Sequence, residues 1–409
     1  MGEKLGFIDL FAGCGGLSLG LINAGLHGIF AIEKSPDAFA TFRHNLIDGN
    51  KVDQFIWPSW LPCEAITSAR LLKNYNRQLH ELTGKVDLVA GGPPCQGFSL
   101  AGKRNLKDSR NKLAEEYIKI VKIIHPKFLL LENVKGFKAP FFYNKNRKKI
   151  YADIIKSKLE ELEYIVYSSV IDSSIFGVPQ SRHRFIMIAI DKKIKVDGNP
   201  FETLLSMANS FRKNKGLPEK GIISVSNAIS NLQTHEGKYI EKSSEKKGYM
   251  QIKYRKKWNS KYQRLMQANC PQDYTPNGLR LAKHGTEIVE RFKTILNECE
   301  KGREVPKDKL EEFGTKKFSF TPLHPKKLSR TITTLPDDLM HYSEPRILTV
   351  RENARLQSFP DWFEIKGKYT TGGNRRKSDC PKYTQIGNAV PPLLAEALGL
   401  LILKTSGVT

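Results

Sequence analysis

The chain has 409 residues, 40% of them hydrophobic, which is too long for one compact core and suggests about two domains. Its 66 Lys and Arg against 42 Asp and Glu leave a net charge of +24, which points to a polyanionic partner. No apolar run approaches the roughly 20 residues of a membrane span, and the start MGEKLGFIDLFAG carries neither a leader pattern nor a myristoylation signal; a soluble, cytoplasmic protein without a membrane partner is expected.

GFIDLF (6–11) reads as a buried strand, FAGCGG as a glycine turn, and LSLGLINAGL (17–26) as a helix with Leu17, Leu21 and Ile22 on one side. AIEKS (31–35) ends a second strand in the acidic Glu33. VDLVA (86–90) is a third short strand and leads into GGPPCQGFS. EEYIKIVKII (115–124) has helical spacing, KFLLLENV (127–134) is a strand, FFYNKNRKKI (141–150) reads as a mobile basic loop, and RFIMIAI (184–190) is a further strand. Strands alternating with helices predict an α/β fold with a mostly parallel, Rossmann-like sheet covered on both faces. Ligands of such sheets sit at the carboxyl ends of the strands, where Gly13, Glu33, Cys95 and Glu132 fall.

After residue 190 the alternation stops. Residues 191–330 hold 30 Lys and Arg against 16 Asp and Glu, a net +14 (30 minus 16). Order returns with ILTVRENARLQSFP and YTQIGNAVPPLLAEALGLLILK, the last piece apolar enough to pack back on the first domain. The expected division is therefore 1–190 plus 346–409 for one domain and 191–345 for a second, smaller, basic one. The six cysteines (Cys14, Cys63, Cys95, Cys270, Cys299 and Cys380) include no CxxC pair and have no clustered His, so neither a metal site nor disulfides are expected.

Four stretches carry candidate chemistry. In FAGCGG, Gly13, Gly15 and Gly16 let backbone approach a ligand or serve packing alone; the stretch is not GxGxxG, so a cofactor lacking a pyrophosphate suits it. Glu33 either accepts hydrogen bonds from ribose hydroxyls or is a solvated strand end. In PPCQG, Pro93 and Pro94 fix two φ angles, so the Cys95 thiol is held in one place, as a nucleophile requires. In LLLENV, Glu132 is a desolvated carboxyl able to hold a proton, or a surface acid. In QSRHRF, Gln180, Arg182 and Arg184 share one face of an extended chain, as an anion clamp or a salt-bridged strand edge, with His183 pointing away.

In this order, FIDLFAGCGGLSLG, GGPPCQGFS, ENV, QSRHR, RENARLQSFPD and YTQIGNAVPP resemble the segments of the DNA (cytosine-5) methyltransferase family, of the bacterial restriction-modification type. The resemblance covers residues 5–35, 86–135, 176–190 and 327–393. It implies S-adenosylmethionine as cofactor and no metal. Phe11, Ala12, Gly13, Gly15, Gly16, Glu33, Ile66, Pro94 and Asn388 would bind that cofactor, with the stretch WLPCEAITSARLL leaving the Glu64-to-Ile66 register open. Cys95 would add to C6 of a flipped-out cytosine, Glu132 would act at N3 and the exocyclic amine, Arg184 would steady the base, and Arg182 would sit near a phosphate or the nucleophile. Ser99 to Asn105 would close over the base. Residues 191–345 would be the target-recognition domain, with Lys253, Arg255, Lys256 and Lys257 on phosphates. The implied partners are double-stranded DNA and a cognate restriction endonuclease, with the enzyme a monomer, nucleoid-associated in a bacterium. Methylation of tRNA, or a non-catalytic DNA-binding protein of the same fold, are the alternatives; an NAD enzyme fails on the missing GxGxxG.

Overall fold

The computed structural model describes residues 4–49, 55–94, 111–144, 147–315, 319–370 and 379–407, apart from the side chains of 111–112 and 141–149. Its central sheet is built from β1 (Gly6–Leu10), β2 (His27–Ile32), β3 (Leu88–Gly91), β4 (Phe128–Val134), β7 (Tyr164–Asp172) and β8 (His183–Asp191), in the order β2-β1-β3-β4-β8-β7. The first four are mutually parallel; β8 runs antiparallel to both β4 and β7. Between β4 and β7, β5 (Pro140–Asn144) pairs antiparallel with β6 (Arg147–Ile150). That stretch was expected to be a loop. Its basic, non-alternating sequence hides a hairpin whose pairing is set by backbone bonds.

The helices α1 (Gly16–Ala24), α2 (Pro36–Leu46), α3 (Ser68–Asn74), α4 (Asn76–Glu81), α5 (Asn111–Ile124), α6 (Tyr151–Glu160), α7 (Pro200–Ser206) and α8 (Ala208–Asn214) follow in chain order. α2 starts where Ser35 accepts a bond from the Ala38 amide and Pro36 supplies a fixed φ at the first position. One face of the sheet, Ile8, Leu10, Ile32, Val89, Leu129, Leu131, Phe185 and Met187, packs with Leu71, Leu79, Tyr117, Ile120 and Ile155 of α3 to α6. The intervening residues Phe7, Asp9, Leu88, Ala90, Phe128 and Leu130 are equally buried, and on that face Ser18 of α1 bonds Asp9. Strands buried on both faces read as continuous apolar runs, which is why β1, β3 and β4 stand out in the sequence. β7 does not: it is an edge strand, half-exposed along Tyr167–Val170 and interrupted by two serines.

Two compact units emerge. The first comprises Met1–Asp172, His183–Ala208 and Leu394–Thr409; the second comprises Ser173–Arg182 and Asn209–Leu393. The second unit therefore takes in the closing segments as well as the basic stretch. It holds α9 (Val225–Ile229), the antiparallel pair β9 (Ile240–Lys242) and β10 (Met250–Ile252), α10 (Lys261–Met266), α11 (Thr286–Glu298), α12 (Lys307–Glu312), the short parallel pair β11 (Thr321–Pro322) and β12 (Leu339–Met340), α13 (Val350–Leu356) and α14 (Lys382–Asn388). α15 (Pro392–Ser406) follows. The run Lys382–Ser406 is long and apolar enough by composition to match a membrane span, contrary to expectation, yet 83% of its most apolar window is buried, as in a core helix. α13 opens on a reciprocal cap, Thr349 bonding the Glu352 amide and Glu352 the Thr349 amide.

Candidate active site

Register decides what meets at the sheet's carboxyl edge. Leu10 pairs with Ile32 on one side and Gly91 on the other, and Gly91 pairs with Leu131. The residues that follow, Phe11, Glu33, Gly92 and Glu132, therefore emerge at one level, on strands about 4.8 Å apart. The chain leaves β1 toward β2 on one side and reaches β3 on the other, so the turn after β1 lies at a topological switch point.

That turn is tightly specified. Ala12 donates to the Ile32 carbonyl at 2.9 Å and Gly15 to the Ala12 carbonyl at 3.0 Å. Phe11 has φ +66°, a strained value for an aromatic residue, at the point where β1 ends. Gly15 has φ +98°, and a Cβ there would meet Leu46 at 2.8 Å and Phe42 at 2.9 Å; Gly13 has φ +57°, with open space where its Cβ would point. Gly15 thus serves packing, and Gly13 faces open space among the described residues. Cys14 and Gly16 are buried. Glu33 accepts from the Gly13 amide at 3.0 Å and the Ser35 amide at 2.7 Å. Burial pushes its carboxyl above the ordinary range, with those two amides acting the other way. Ile66 is buried, and its amide donates to the Glu33 carbonyl at 2.8 Å, which joins it to the end of β2 without a strand. Glu64 turns to Arg70, at 3.1 Å.

Sequence reasoning passed over Asp9. It is fully buried, takes a 2.6 Å bond from the Ser18 hydroxyl, and its Oδ1 has no partner among the described residues. Burial, with Glu33 nearby, pushes its pKa up to about 7, against the Ser18 bond. The fold therefore binds this proton more tightly than the unfolded chain does. Stability from that proton is complete below about pH 4 and is lost as pH rises toward 7, by roughly 1.4 kcal/mol per unit. Urea unfolding of wild type and Asp9→Asn between pH 4.5 and 7 is expected to show this slope in the wild type alone; parallel curves would refute it.

On the other side of the switch point, Glu132 lies near the end of β4 and is 9% exposed. Its Oε1 meets Arg184 Nε at 2.9 Å. The pair forms because β8 is antiparallel, so that Arg184, near the start of β8, stands opposite Val134 near the end of β4. Burial lowers the Arg184 pKa, and Glu132 offsets it. A Cβ on Gly92 would come within 3.2 Å of Glu132 Oε2, so a larger residue in the turn after β3 would press on that carboxyl. Asn133 bonds the Pro93 carbonyl at 3.0 Å through its side-chain amide, tying that turn to β4. Nothing in the residue pattern signals this bond beyond the adjacency of Glu132 and Asn133. Pro94 is half-buried. Cys95 and Ser99 to Asn105 lie outside the described residues.

In the second unit, Arg182 is 1% exposed, and its terminal nitrogens donate to the carbonyls of Ile332 (3.1 Å), Gly387 (2.8 Å) and Ala389 (3.0 Å). Gln180 bonds the Leu356 carbonyl, the Gln357 side chain and the Ile332 amide. These residues clasp the closing segments, which departs from the open anion clamp that alternate spacing suggested. His183 is exposed, with Nε2 3.7 Å from Asp172. Asn388 ends α14 and is exposed. In the basic cluster, Arg255 stacks on Tyr239 at 3.9 Å and donates to the carbonyls of Asn231 and Gln233, while Lys256 donates to those of Cys270 and Pro271. Those two side chains are engaged by their own fold; Lys253 and Lys257 are exposed. Among the described residues, no disulfide occurs and no three His, Cys, Asp or Glu side chains converge as a metal site would require.

The model of the C-5 cytosine-specific DNA methylase family matches residues 5–404. The chain is 31% identical over 403 residues to the type II methyltransferase M.DdeI of Desulfomicrobium norvegicum, covering 96% of this chain and 87% of that protein. It is 30% identical over 404 residues to the type II methyltransferase M1.HphI of Haemophilus parahaemolyticus, covering 98% and 87%. In solved structures it resembles a protein described as a DNA modification methyltransferase encoded within a prophage (E. coli), at TM-score 0.66 and 23% identity over 99% of this chain and 100% of that one. It also resembles the S. pombe Dnmt2 methyltransferase, at 0.52 and 16% over 98% and 99%. At these identities the structures speak to fold alone.

A mostly parallel sheet with a glycine turn at its switch point and carboxylates at its strand ends defines a Rossmann-like α/β methyltransferase. The chain belongs to the C-5 cytosine-specific DNA methylase family. Its enzyme class is accordingly DNA (cytosine-5-)-methyltransferase.

Proposed function

We propose that the protein transfers a methyl group from S-adenosylmethionine to C5 of a cytosine in a short duplex sequence, as the modification enzyme of a type II restriction-modification system with a cognate endonuclease. The observation that carries this reading is the buried Glu132–Arg184 pair beside the turn that leads to Cys95. The residues at the end of β1 and β2 suit the cofactor: the space left open over Gly13 by the described residues admits a ligand, and Glu33 presents a carboxylate to a diol. Phe11, Ala12, Gly13, Gly15, Gly16, Glu33, Ile66, Pro94 and Asn388 are assigned to holding it. When bound, it supplies an electrophilic methyl group.

The remaining chemistry falls to the chain. The Cys95 thiolate adds to C6, its electron pair forming the S–C6 bond while the C5–C6 pair becomes available at C5 for the new C–C bond. Glu132 holds a proton at N3, neutralising the charge that addition sends toward the ring nitrogen. Arg184 keeps that carboxyl oriented and steadies the base. Arg182 acts through the closing segments that it clasps. After alkylation a base removes the C5 proton, the S–C6 bond breaks, and the ring regains aromaticity. A stacked base offers no route to C6, so the cytosine must be flipped out. Target recognition is assigned to 191–345.

Labelled cofactor with cytosine duplexes tests the reading, total tRNA serving as the comparison substrate. Label at C5 of duplex cytosine is expected; label confined to tRNA, or none with folded enzyme, rejects it. Glu132→Gln keeps the shape but cannot release or take up the proton in the same way, so single-turnover transfer should fall roughly 10²- to 10⁴-fold. An unchanged rate would remove Glu132 from the chemistry.

A further inference from the structure

Among the described residues, Arg280 is a cation without a counter-ion. It stands on a strand-like segment beside β10: the Ile252 amide donates to the Leu279 carbonyl and the Leu281 amide to the Met250 carbonyl, with Arg280 opposite Gln251. Leu279 and Leu281 pack into a small core with Leu232 and Ile252, so Arg280, between them, projects to the other side. There its guanidinium carbon lies 3.5 Å from the ring centre of Tyr369 and 4.5 Å from that of Tyr249.

The platform is locked. Tyr369 is 8% exposed and its hydroxyl donates to Glu245 Oε1, which also accepts the Gly278 amide. Glu245 Oε2 takes Lys382 Nζ at 2.5 Å. Lys382 lies 4.6 Å from the centre of the same tyrosine ring, so two cations contact one ring, while the Glu245 carboxylate serves Lys382. Among the described residues, the guanidinium nitrogens of Arg280 have no hydrogen-bond or ion-pair partner. None of them is among the fully buried atoms that lack one, and Arg280 is half-buried, so these donors are not sealed from solvent. In the chain segment that carries β9 and β10, Lys238, Lys242, Lys246, Lys247 and Lys253 are exposed, and Lys246 lies 5.2 Å from the Tyr249 ring.

We propose that Arg280 is a specificity-determining residue, presenting its donor edge to O6 and N7 of a guanine in the duplex target. The inference rests on the proposed function and deepens it. Stacking fixes the plane of the guanidinium while leaving its fork free, and a fixed fork is what bidentate reading of a guanine edge requires. A phosphate contact has no such need and is served by exposed lysines such as those of 238–253. The uncompensated charge beside Lys382 is relieved when the acceptors arrive.

The test uses the full chain. The target is located by bisulfite sequencing, and 7-deazaguanine, which lacks N7, then replaces each guanine of the site in turn. Wild type is expected to lose roughly 10- to 100-fold in kcat/KM at one position. Arg280→Ala should show that loss on the natural duplex and be indifferent to the analogue at that position. Arg280→Met keeps an apolar stem over the rings without any donor and should behave likewise; it also serves if the alanine variant folds poorly. Equal sensitivity of variant and wild type to every analogue overturns the proposal. So does a uniform loss on all duplexes with a salt slope smaller by about one, which marks a phosphate contact. Duplex binding by fluorescence anisotropy reads the same analogue effect without catalysis, so an enzyme that transfers no methyl would count against the proposed function alone.

Discussion

Replacing Cys95 by serine or alanine is expected to lower methyl transfer by at least about three orders of magnitude while duplex and cofactor binding persist. The expectation rests on what surrounds the thiol's attachment. Pro93 and Pro94 fix the backbone that enters it, the Asn133 amide holds the Pro93 carbonyl at 3.0 Å, and Gly92 passes within reach of Glu132. A turn restrained on three counts suits a group that must meet one atom of a ring, because misplacement by an ångström costs about 10²-fold. The decisive measurement is a duplex containing 5-fluorocytosine. Fluorine at C5 blocks the final elimination, so wild type should accumulate a covalent enzyme–DNA adduct that survives denaturing electrophoresis, and the variant none. An adduct with the serine variant, or transfer at the wild-type rate, would place the nucleophile elsewhere.

The second large effect concerns stability. Arg355 and Asp361 are both fully buried and meet in a two-pronged contact, at 2.9 and 2.6 Å. Arg355 also donates to the Ala228 carbonyl and the Asn231 side chain, and Tyr254 donates to Asp361 at 2.7 Å. Burial alone would raise the Asp361 carboxyl, but Arg355 beside it prevails and holds it below the usual range. Asp361→Asn leaves a buried guanidinium without its counter-charge and should cost about 3–5 kcal/mol in urea unfolding at neutral pH. A carboxyl with a lowered pKa stabilises the fold above its unfolded value and ceases to as pH falls, so the wild type's advantage should shrink below about pH 4. The pair Arg355→Met with Asp361→Leu, which removes both charges, should recover most of the loss. If the double variant is as unstable as the single one, packing and not charge governs the site.

The sheet was legible where burial on both faces leaves an unbroken apolar run, as in FIDLF, VDLVA and FLLLENV. β7 was not, because Ser168 and Ser169 sit on a half-exposed edge where nothing forces an apolar pattern. The candidate site was legible as motifs and opaque as contacts. Glu132 and Arg184 could be named, but their pairing depends on β8 running against β4, and no periodicity announces direction. Ile66 reaches Glu33 through a backbone bond, which any residue type could make. Asp9 escaped notice because one acid in an apolar strand looks like an exposed position, and only the Ser18 bond explains it. In IKYRKKW, charge density suggested a phosphate-facing cluster, whereas Arg255 and Lys256 close on local carbonyls.

The clasp at residues 173–182 bears on how chimeras of this enzyme should be cut. Ser181 and Ser329 are bonded through backbone, Thr331 bonds the Ser181 carbonyl, and Gln180 and Arg182 grip 332, 356–357 and 387–389. A graft that moves only 191–345 from a relative would leave behind ten residues that the donor's segment evolved to fit. Exchanges of sequence preference should therefore transplant 173–182 together with 209–393, as two separate inserts into one host gene.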